Sequence, residues 1–378
     1  MKRLSATYFL YFAQLGIIVP YLGLFLDGRG FSSAQIGELF ALITFARIFG
    51  PGIWASLADR TGHTLLVLRV GCLLTVLSFA GVFWAMSFWS LTLTFGLMMM
   101  FWTAVLPQLE VITLKQAKIR EKNYGSVRLW GSVGFILLTM LTGYLLDIFG
   151  TEVPIWVSVT VLSLLFLSTL LLADVNRDEH LESTSGNSWR QVMTPVFLLF
   201  LLSATLLQVS FGPYYGFFAL YMRDLEHSGQ FTGFLIALGV AAEVIIFVLA
   251  SRLIQRFGIK WLLITSLALT AVRWWMLGFF ADTTPLLVLS QTLHAFSFGL
   301  THAVSVAFIH HYFTAHFQSR GQAIYIGVAF GAGGALGNWL AGHLWEQGSG
   351  ATLSFSIAAA LALLAAVILL PLAKEKLA

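Results

Sequence analysis

Twelve apolar stretches, each about as long as a helix that crosses a lipid bilayer, constrain this chain more than any other feature. The chain is 58% hydrophobic and only 10% charged, whereas a soluble domain carries about 25% charged residues. The sequence therefore predicts an all-α membrane protein with twelve transmembrane helices and short connecting turns. The predicted spans are, roughly, 5–26, 34–56, 64–85, 88–113, 124–147, 154–173, 195–222, 230–252, 261–281, 285–313, 320–343 and 352–373.

Lysine and arginine are unevenly distributed among the segments between the spans. With the N-terminus in the cytoplasm, fifteen of them lie in inside segments and only Arg29 and Arg223 lie outside. An excess of lysine and arginine is typical of loops on the cytoplasmic side of a membrane. We expect a bacterial-type inner membrane, both termini cytoplasmic, and a retained first helix. Because the positive charges follow this pattern, the net charge of +4 does not indicate nucleic-acid binding.

The most polar segment, 174–191, separates six spans from six. We predict an N-terminal six-helix bundle over 1–173, a cytoplasmic linker over 174–191 and a C-terminal six-helix bundle over 192–378. A shift of 196 residues aligns features of the two halves: Gly37 with Gly233, Arg60 with Arg256, Gly62 with Gly258, Gly125 with Gly321 and Gly131 with Gly327. Parallel repeats of six spans, related by a pseudo-twofold axis, are a transporter architecture.

The turn after the second helix, Asp59-Arg60-Thr61-Gly62, together with six plus six helices, resembles the major facilitator superfamily. The usual signature has glycine where Ala55 stands and a basic residue where His63 stands, so the motif is degenerate. The resemblance implies that Asp59, Arg60 and Gly62 govern contacts between helices during conformational change.

Glu110 and Arg128 lie inside two predicted spans, on either side of a basic turn. Ionisable groups in a membrane are costly and mark functional sites by default. The segment 124–134 resembles the helix-5 signature of lactose/proton symporters, and more closely that of the 3-phenylpropionate permease group. That resemblance implies a substrate-binding role for both residues. The alternative is a structural ion pair that clamps the fourth and fifth helices.

Glu243 lies in the middle of the eighth span, and burial there disfavours the charged form of a carboxylate. Such a group suits proton coupling; the alternative is a structural ion pair with Arg128 or another arginine. In this fold the eighth helix packs near the fifth, so we predict that Glu110, Arg128 and Glu243 form one site.

Arg273 and His294 match in spacing the arginine and histidine of the proton-coupling region of the lactose permeases. Histidine can gain or lose a proton near neutral pH. The glutamate that carries the proton in the sugar permeases is replaced by Ser297. Proton coupling would then fall to Glu243 or His294, with His302 as a further candidate; alternatively, His302 only packs.

Three further residues complete the predicted site. Arg47 lies deep in the second span at the repeat position of Glu243, where it could attract an anionic substrate or form a structural pair. Tyr21 and Tyr214 follow prolines in the first and seventh helices, and their rings are candidate walls for an apolar ligand. Aromatic residues at helical spacing usually pack, which is the alternative for both.

We therefore expect a monomeric secondary transporter, driven by the proton gradient without a cofactor or metal, that carries a small organic solute. The resemblance implies an aromatic carboxylate such as 3-phenylpropionate. A sugar or nucleoside proton symporter and a metabolite or drug exporter are the alternatives. A membrane enzyme is not expected, because the sequence shows no nucleophile–base pair and no metal cluster. ATP-driven transport is not expected either, because the sequence has no glycine loop of the kind that binds phosphate. A non-transporting sensor on the same scaffold is a third class.

Overall fold

The computed structural model describes residues 1–119, 121, 123–173, 189–315 and 317–372, with the side chains of Ala55, Asp59 and Trp189 outside the description. Within these residues, twelve helical spans are long and apolar enough to cross a membrane, as predicted. We label them α1 to α12: Lys2–Gly28, Ser33–Ala58, Thr64–Phe83, Phe88–Ile119, Tyr124–Phe149, Val153–Leu170, Pro195–Asp224, Gly229–Phe257, Ile259–Phe279, Thr284–Tyr312, Gln318–Gly348 and Ala351–Leu369.

Several spans are interrupted helices. α4 breaks between Phe88–Trp102 and Val105–Ile119, and α7 between Pro195–Ser210 and Gly212–Asp224, close to Pro107 and Pro213 respectively. Proline removes a helical hydrogen bond and crowds the preceding turn, which explains both breaks. α10 and α11 instead contain π-helical turns, at Ala295–Leu300 and Ile326–Gly333. Turns of this kind often occur at functional sites.

Local sequence signals fix several helix ends. Ser32 and Gln35 form a capping box at the start of α2, and Ser87 with Ser90 does the same at α4. A capping box satisfies backbone donors that the first turn leaves free. α2 continues as helix to Thr61 and ends at Gly62, whose φ of 73° is left-handed. Glycine adopts that conformation without a Cβ clash.

A cation near the start of α3, and another near the start of α9, bind the C-terminal carbonyls of a neighbouring helix. Arg69 donates to the carbonyl oxygens of Thr169, Leu170 and Leu172 at 3.1–3.3 Å, at the end of α6. Lys260 donates to those of Leu370 and Leu372 at the end of α12. These oxygens lack helical partners and carry the negative end of the helix dipole, so both contacts are stabilising.

The chain forms two compact units. One comprises Met1–Glu179 with Met222–Ala237, and the other His180–Tyr221 with Leu238–Ala378. The first unit thus includes the end of α7 and the start of α8, which the sequence assigns to the C-terminal half. Most of the predicted linker, 174–188, lies outside the described residues, so its role as a linker stays a prediction.

Candidate functional site

The first cluster of intramembrane charge lies in the first unit, around Arg128 on α5. Its guanidinium carbon lies 3.9 Å from the centre of the Phe12 ring and 5.9 Å from that of Tyr8, both on α1. A cation over an aromatic face is attracted by the ring quadrupole. The two rings, four residues apart on one helix, therefore support the guanidinium from one side.

Glycines on α5 allow α1 to approach closely enough for this contact. A Cβ atom at Gly131 would lie 2.5 Å from Cδ2 of Phe12 and 3.0 Å from Nη1 of Arg128. A Cβ atom at Gly134 would lie 2.2 Å from the carbonyl oxygen of Phe9. Only glycine fits at these positions, and small residues at helix crossings are a common means of close packing in membranes.

Glu110 does not form the direct ion pair with Arg128 that adjacent helices could have made. Among the described residues, neither has an oppositely charged side chain within the 4.0 Å that defines a salt bridge. Instead, the Tyr124 hydroxyl donates to Oε1 of Glu110 at 3.3 Å. The phenol thus bonds the carboxylate while Phe12 supports the cation, so a structural clamp between Glu110 and Arg128 is not what the structure shows.

Arg47 lies near the same cluster. Arg47 and Arg128 are both close enough to the Tyr11 hydroxyl to interact with it electrostatically. The Tyr11 ring stacks on Trp102 at 4.4 Å between centres. Two cations, Arg47 and Arg128, therefore act electrostatically on one aromatic side chain in the first unit.

The second cluster is a chain of three polar side chains in the second unit. Arg273 on α9 is fully buried, and its Nη1 lies 3.0 Å from Nδ1 of His294 on α10. Nε2 of His294 lies 3.3 Å from Oε2 of Glu243 on α8. The structure thus brings together three residues that the sequence predicts to act in proton coupling.

Two glycines also allow α8 and α10 to approach each other closely. A Cβ atom at Gly299 of α10 would lie 2.8 Å from Cγ of Glu243 and 2.7 Å from Cγ2 of Ile246. A Cβ atom at Gly239 of α8 would lie 3.2 Å from Cβ of His294. The π-helical turn begins at Ala295, directly after His294. α8 and α10 therefore pack tightly where the carboxylate meets the imidazole.

Aromatic rings surround the buried guanidinium. The guanidinium carbon of Arg273 lies 4.2 Å from the Tyr214 ring centre and 4.5 Å from that of Trp274. The Tyr214 hydroxyl donates to Oε1 of Gln291 at 2.9 Å. Within the described residues, Nε and Nη2 of Arg273 have no hydrogen-bond partner. Tyr214 thus packs its ring against Arg273 and bonds Gln291 through its hydroxyl.

Tyr21 and His302 occupy different surroundings. Tyr21 is fully buried, and its hydroxyl donates to the carbonyl oxygen of Thr139 at 2.8 Å. His302 stacks on Phe298 at 5.9 Å between ring centres, and Phe298 stacks at the same distance on His294. Phe298 therefore stands between the two histidines. Nδ1 of His302 is buried without a hydrogen-bond partner in the described part of the chain.

The turn after α2 is described only in part. The Asp59 side chain lies outside the described residues, Arg60 is exposed, and Gly62 ends the helix. Their predicted conformational role stays a prediction, as does the link between Glu243 and the Glu110–Arg128 region. No group of three or more metal-ligand side chains occurs among the described residues.

Sequence reasoning missed Phe12, Tyr8 and Tyr124 as partners of the first cluster, and Gln291 of the second. The spacing of Tyr8 and Phe12 places both rings on one face of α1. Glycines at Gly131 and Gly134 mark a close helix crossing. Those two signals together could have indicated an aromatic support for Arg128.

Twelve apolar helical spans, with clusters of ionisable side chains inside both units, are typical of a membrane transporter, and comparison with known proteins identifies the family. The sequence profile described as "MFS_1 like family" matches residues 1–357. The chain belongs to this family and is a transporter of the major facilitator superfamily, not an enzyme.

Individual relatives are similar over most of their length. A protein of Escherichia coli (strain K12) named "Probable 3-phenylpropionic acid transporter" is 32% identical over 91% of this chain and 91% of its own. "Maltose permease" of Geobacillus stearothermophilus is 28% identical over 90% of this chain and 86% of its own. The crystal structure of the nucleoside transporter NupG (D323A mutant) superposes with a TM-score of 0.86, at 16% identity, over 97% of this chain and 98% of that one. The last likeness confirms the predicted fold.

Proposed function

We propose that this transporter is a proton-coupled symporter of a small aromatic carboxylate such as 3-phenylpropionate, working by alternating access. The observation that carries the proposal is the state of Arg128: its guanidinium rests on Phe12 and, among the described residues, has no carboxylate within salt-bridge distance. An intramembrane cation without a fixed counter-ion is costly. A carboxylate that enters the site would offset that cost.

The chemistry of the cluster fits an aromatic acid. A guanidinium that stacks through its face keeps its in-plane N–H donors for hydrogen bonding, and a carboxylate accepts two of them in parallel. Tyr8 and Phe12 supply apolar surface beside those donors. Arg47 adds positive charge near Tyr11. A relative that is 32% identical carries 3-phenylpropionic acid in its name, which supports the same substrate class.

The contacts among Arg273, His294 and Glu243 in the second unit support proton coupling. A guanidinium only donates hydrogen bonds, so Nδ1 of His294 must be the acceptor and the ring proton lies on Nε2. That proton faces Glu243. A second proton at Nδ1 would first require the bond from Arg273 to break, whereas Glu243 can take a proton with that bond intact. We therefore assign the transported proton to Glu243.

The lysine and arginine bias supports cytoplasmic termini. The protein would act as a monomer in a bacterial-type inner membrane. The proton gradient supplies the energy, and no cofactor takes part. Two six-helix halves, 1–173 and 192–378, alternate access to the site.

Labelled uptake into right-side-out vesicles tests the proposal. We expect 3-phenylpropionate to accumulate when the external medium is acidic and to stop accumulating when a protonophore collapses the gradient. Unlabelled maltose or uridine should not compete, and vesicles with Arg128→Gln serve as the control. Accumulation that ignores the collapsed gradient contradicts symport. Competition by the sugar or the nucleoside contradicts the substrate class, and uptake only by inverted vesicles indicates export.

A further inference from the structure

The first unit contains a close contact among α1, α5 and the start of α8. A Cβ atom at Gly143 of α5 would lie 2.2 Å from the carbonyl oxygen of Gly229, the first residue of α8. A Cβ atom at Gly233 would lie 2.8 Å from the Tyr21 hydroxyl of α1 and 2.9 Å from the carbonyl oxygen of Thr139. The backbone of α5 therefore meets the backbone of α8 here, and the Tyr21 hydroxyl of α1 lies beside both Gly143 and Gly233.

A carboxylate from α5 caps the first turn of α8. Oδ1 of Asp147 accepts from the backbone N–H of Gly229 at 2.6 Å, and Oδ2 accepts from that of Gln230 at 2.9 Å. The adjacent Ser228 satisfies only the N–H of Phe231, at 3.1 Å. The cap is thus shared between a residue next to α8 in sequence and one more than eighty residues away. A negative charge at this end also complements the helix dipole.

A second polar contact joins the end of α7 to α1. Arg223 pairs with Asp27 through a short N–O contact, and its Nη2 lies 3.0 Å from Oδ1 of Asp224. The Arg223 side chain is 46% exposed and that of Asp27 is 22% exposed. Water can therefore replace these partners at low cost, as is usual for exposed ion pairs.

These contacts differ in kind from the rest of the packing at this end of the helices. Arg29, for example, bonds Glu152 at 2.8 Å and the carbonyl oxygen of Ala85 at 3.0 Å, all within 1–173. Asp147 and Asp27, by contrast, bind residues that follow the predicted linker in sequence. Tight backbone contact combined with polar bonds that water can replace suits an arrangement that forms and separates repeatedly.

We propose that Asp147 and Asp27 form a releasable latch that holds the end of α7 and the start of α8 against α1 and α5. The charge bias predicts that this end is extracytoplasmic. In each transport cycle the two carboxylates give up their protein partners to water, and the helix ends part. The inference rests on alternating access from the proposed function, but not on the identity of the substrate or on proton coupling.

Distance measurement between spin labels tests the latch. Cys72, the only cysteine, is buried, so labels are introduced through Phe149→Cys and Gln230→Cys, at exposed positions beside the contact. In lipid nanodiscs without substrate, we expect Asp147→Ala to raise the ratio of long to short distances about fivefold, the size expected for loss of a helix cap. Asp27→Ala should act in the same direction.

Matched variants keep the test informative. Glu152→Gln alters a neighbouring carboxylate that bonds Arg29 and neither latch partner, so it should leave the distance distribution unchanged. Asp147→Asn keeps one acceptor oxygen and the side-chain shape, so it should fold like the parent and give an intermediate shift. The proposal is overturned if both Asp147 variants and Asp27→Ala leave the distribution as in the parent. The distance measurement uses neither substrate nor a proton gradient. An unchanged distance distribution would therefore not contradict symport, and a failure of the symport test would not contradict the latch.

Discussion

Gly299 and Glu243 approach so closely that a methyl group on the glycine would lie 2.8 Å from Cγ of the glutamate. The glycine therefore sets how near Glu243 lies to His294, which is on the same helix as Gly299. Proton coupling in the proposed mechanism depends on that distance, which makes the glycine a positioning residue.

Gly299→Ala should displace Glu243 from His294 and weaken proton-driven accumulation. Adding a methyl group to a packed crossing costs about 1–3 kcal/mol, so we also expect a lower Tm. Gly327→Ala is the matched control, because it also lies in a π-helical turn and a Cβ there would meet no atom within 4 Å. Equal accumulation by both variants would show that the close approach has no role in coupling.

Glu243→Gln should separate proton coupling from substrate movement. The amide can still accept from His294 Nε2–H, so the second unit keeps its packing, but it cannot carry a transported proton. We expect exchange of labelled for unlabelled 3-phenylpropionate to persist while accumulation against a gradient is lost. Glu346→Gln, outside the cluster on an exposed turn, serves as the control. Loss of exchange together with accumulation would point to a structural ion pair instead.

Arg128→Lys should weaken recognition of the carboxylate specifically. Lysine keeps the charge but lacks the planar pair of donors and the stacking face that Arg128 presents to Phe12. We expect the apparent affinity for 3-phenylpropionate to fall about tenfold, or about 1.4 kcal/mol. Inhibition by the neutral analogue 3-phenylpropanol should change little. If both ligands weaken equally, Arg128 supports the fold rather than the carboxylate.

Phe12→Leu tests the aromatic support of the same cation. A cation–π contact contributes about 0.5–2 kcal/mol, so the apparent affinity for 3-phenylpropionate should fall about 2- to 30-fold, whereas Phe12→Tyr should retain it. Uptake at a series of substrate concentrations measures this affinity. An unchanged affinity in Phe12→Leu would mean that the ring only fills space beside Gly131.

Lys260→Ala should reduce stability without changing transport specificity. Its ammonium binds two carbonyl oxygens at the end of α12, a contact with a helix C-terminus that is worth about 0.3–1 kcal/mol. We expect a lower Tm in detergent for Lys260→Ala and for Arg69→Ala, and no change for Arg252→Ala, an exposed cation that lies before the last turn of α8. A lower Tm in the control as well would indicate a general effect of lost positive charge.

The sequence predicts the spans well because crossing a membrane imposes a length and an apolar composition on each helix. It also selects Arg273, His294 and Glu243, since an ionisable group in an apolar stretch stands out. It does not predict that Glu110 binds Tyr124 while Arg128 stacks on Phe12. That outcome depends on how closely α1 and α5 approach, which Gly131 and Gly134 determine in three dimensions.

The contacts of Asp147 in the latch are a second feature that the sequence does not predict. Asp147 lies near the end of a span, where a carboxylate looks like an ordinary interfacial residue. Its partners are backbone N–H groups of Gly229 and Gln230, and backbone donors leave no mark in a sequence. Ser228 alone would have been expected to cap α8. A hydrogen bond between a side chain and the backbone of a residue far away in the sequence therefore becomes evident only from the structure.

The most direct test of the central claim is proton movement driven by substrate alone. 3-Phenylpropionate is added to de-energised, lightly buffered vesicles, and the external pH is recorded. We expect prompt alkalinisation with the parent protein and none with Glu243→Gln, although the variant still exchanges labelled substrate. An absence of alkalinisation with the parent, or an equal signal from Glu243→Gln, would contradict the assignment of the transported proton to Glu243.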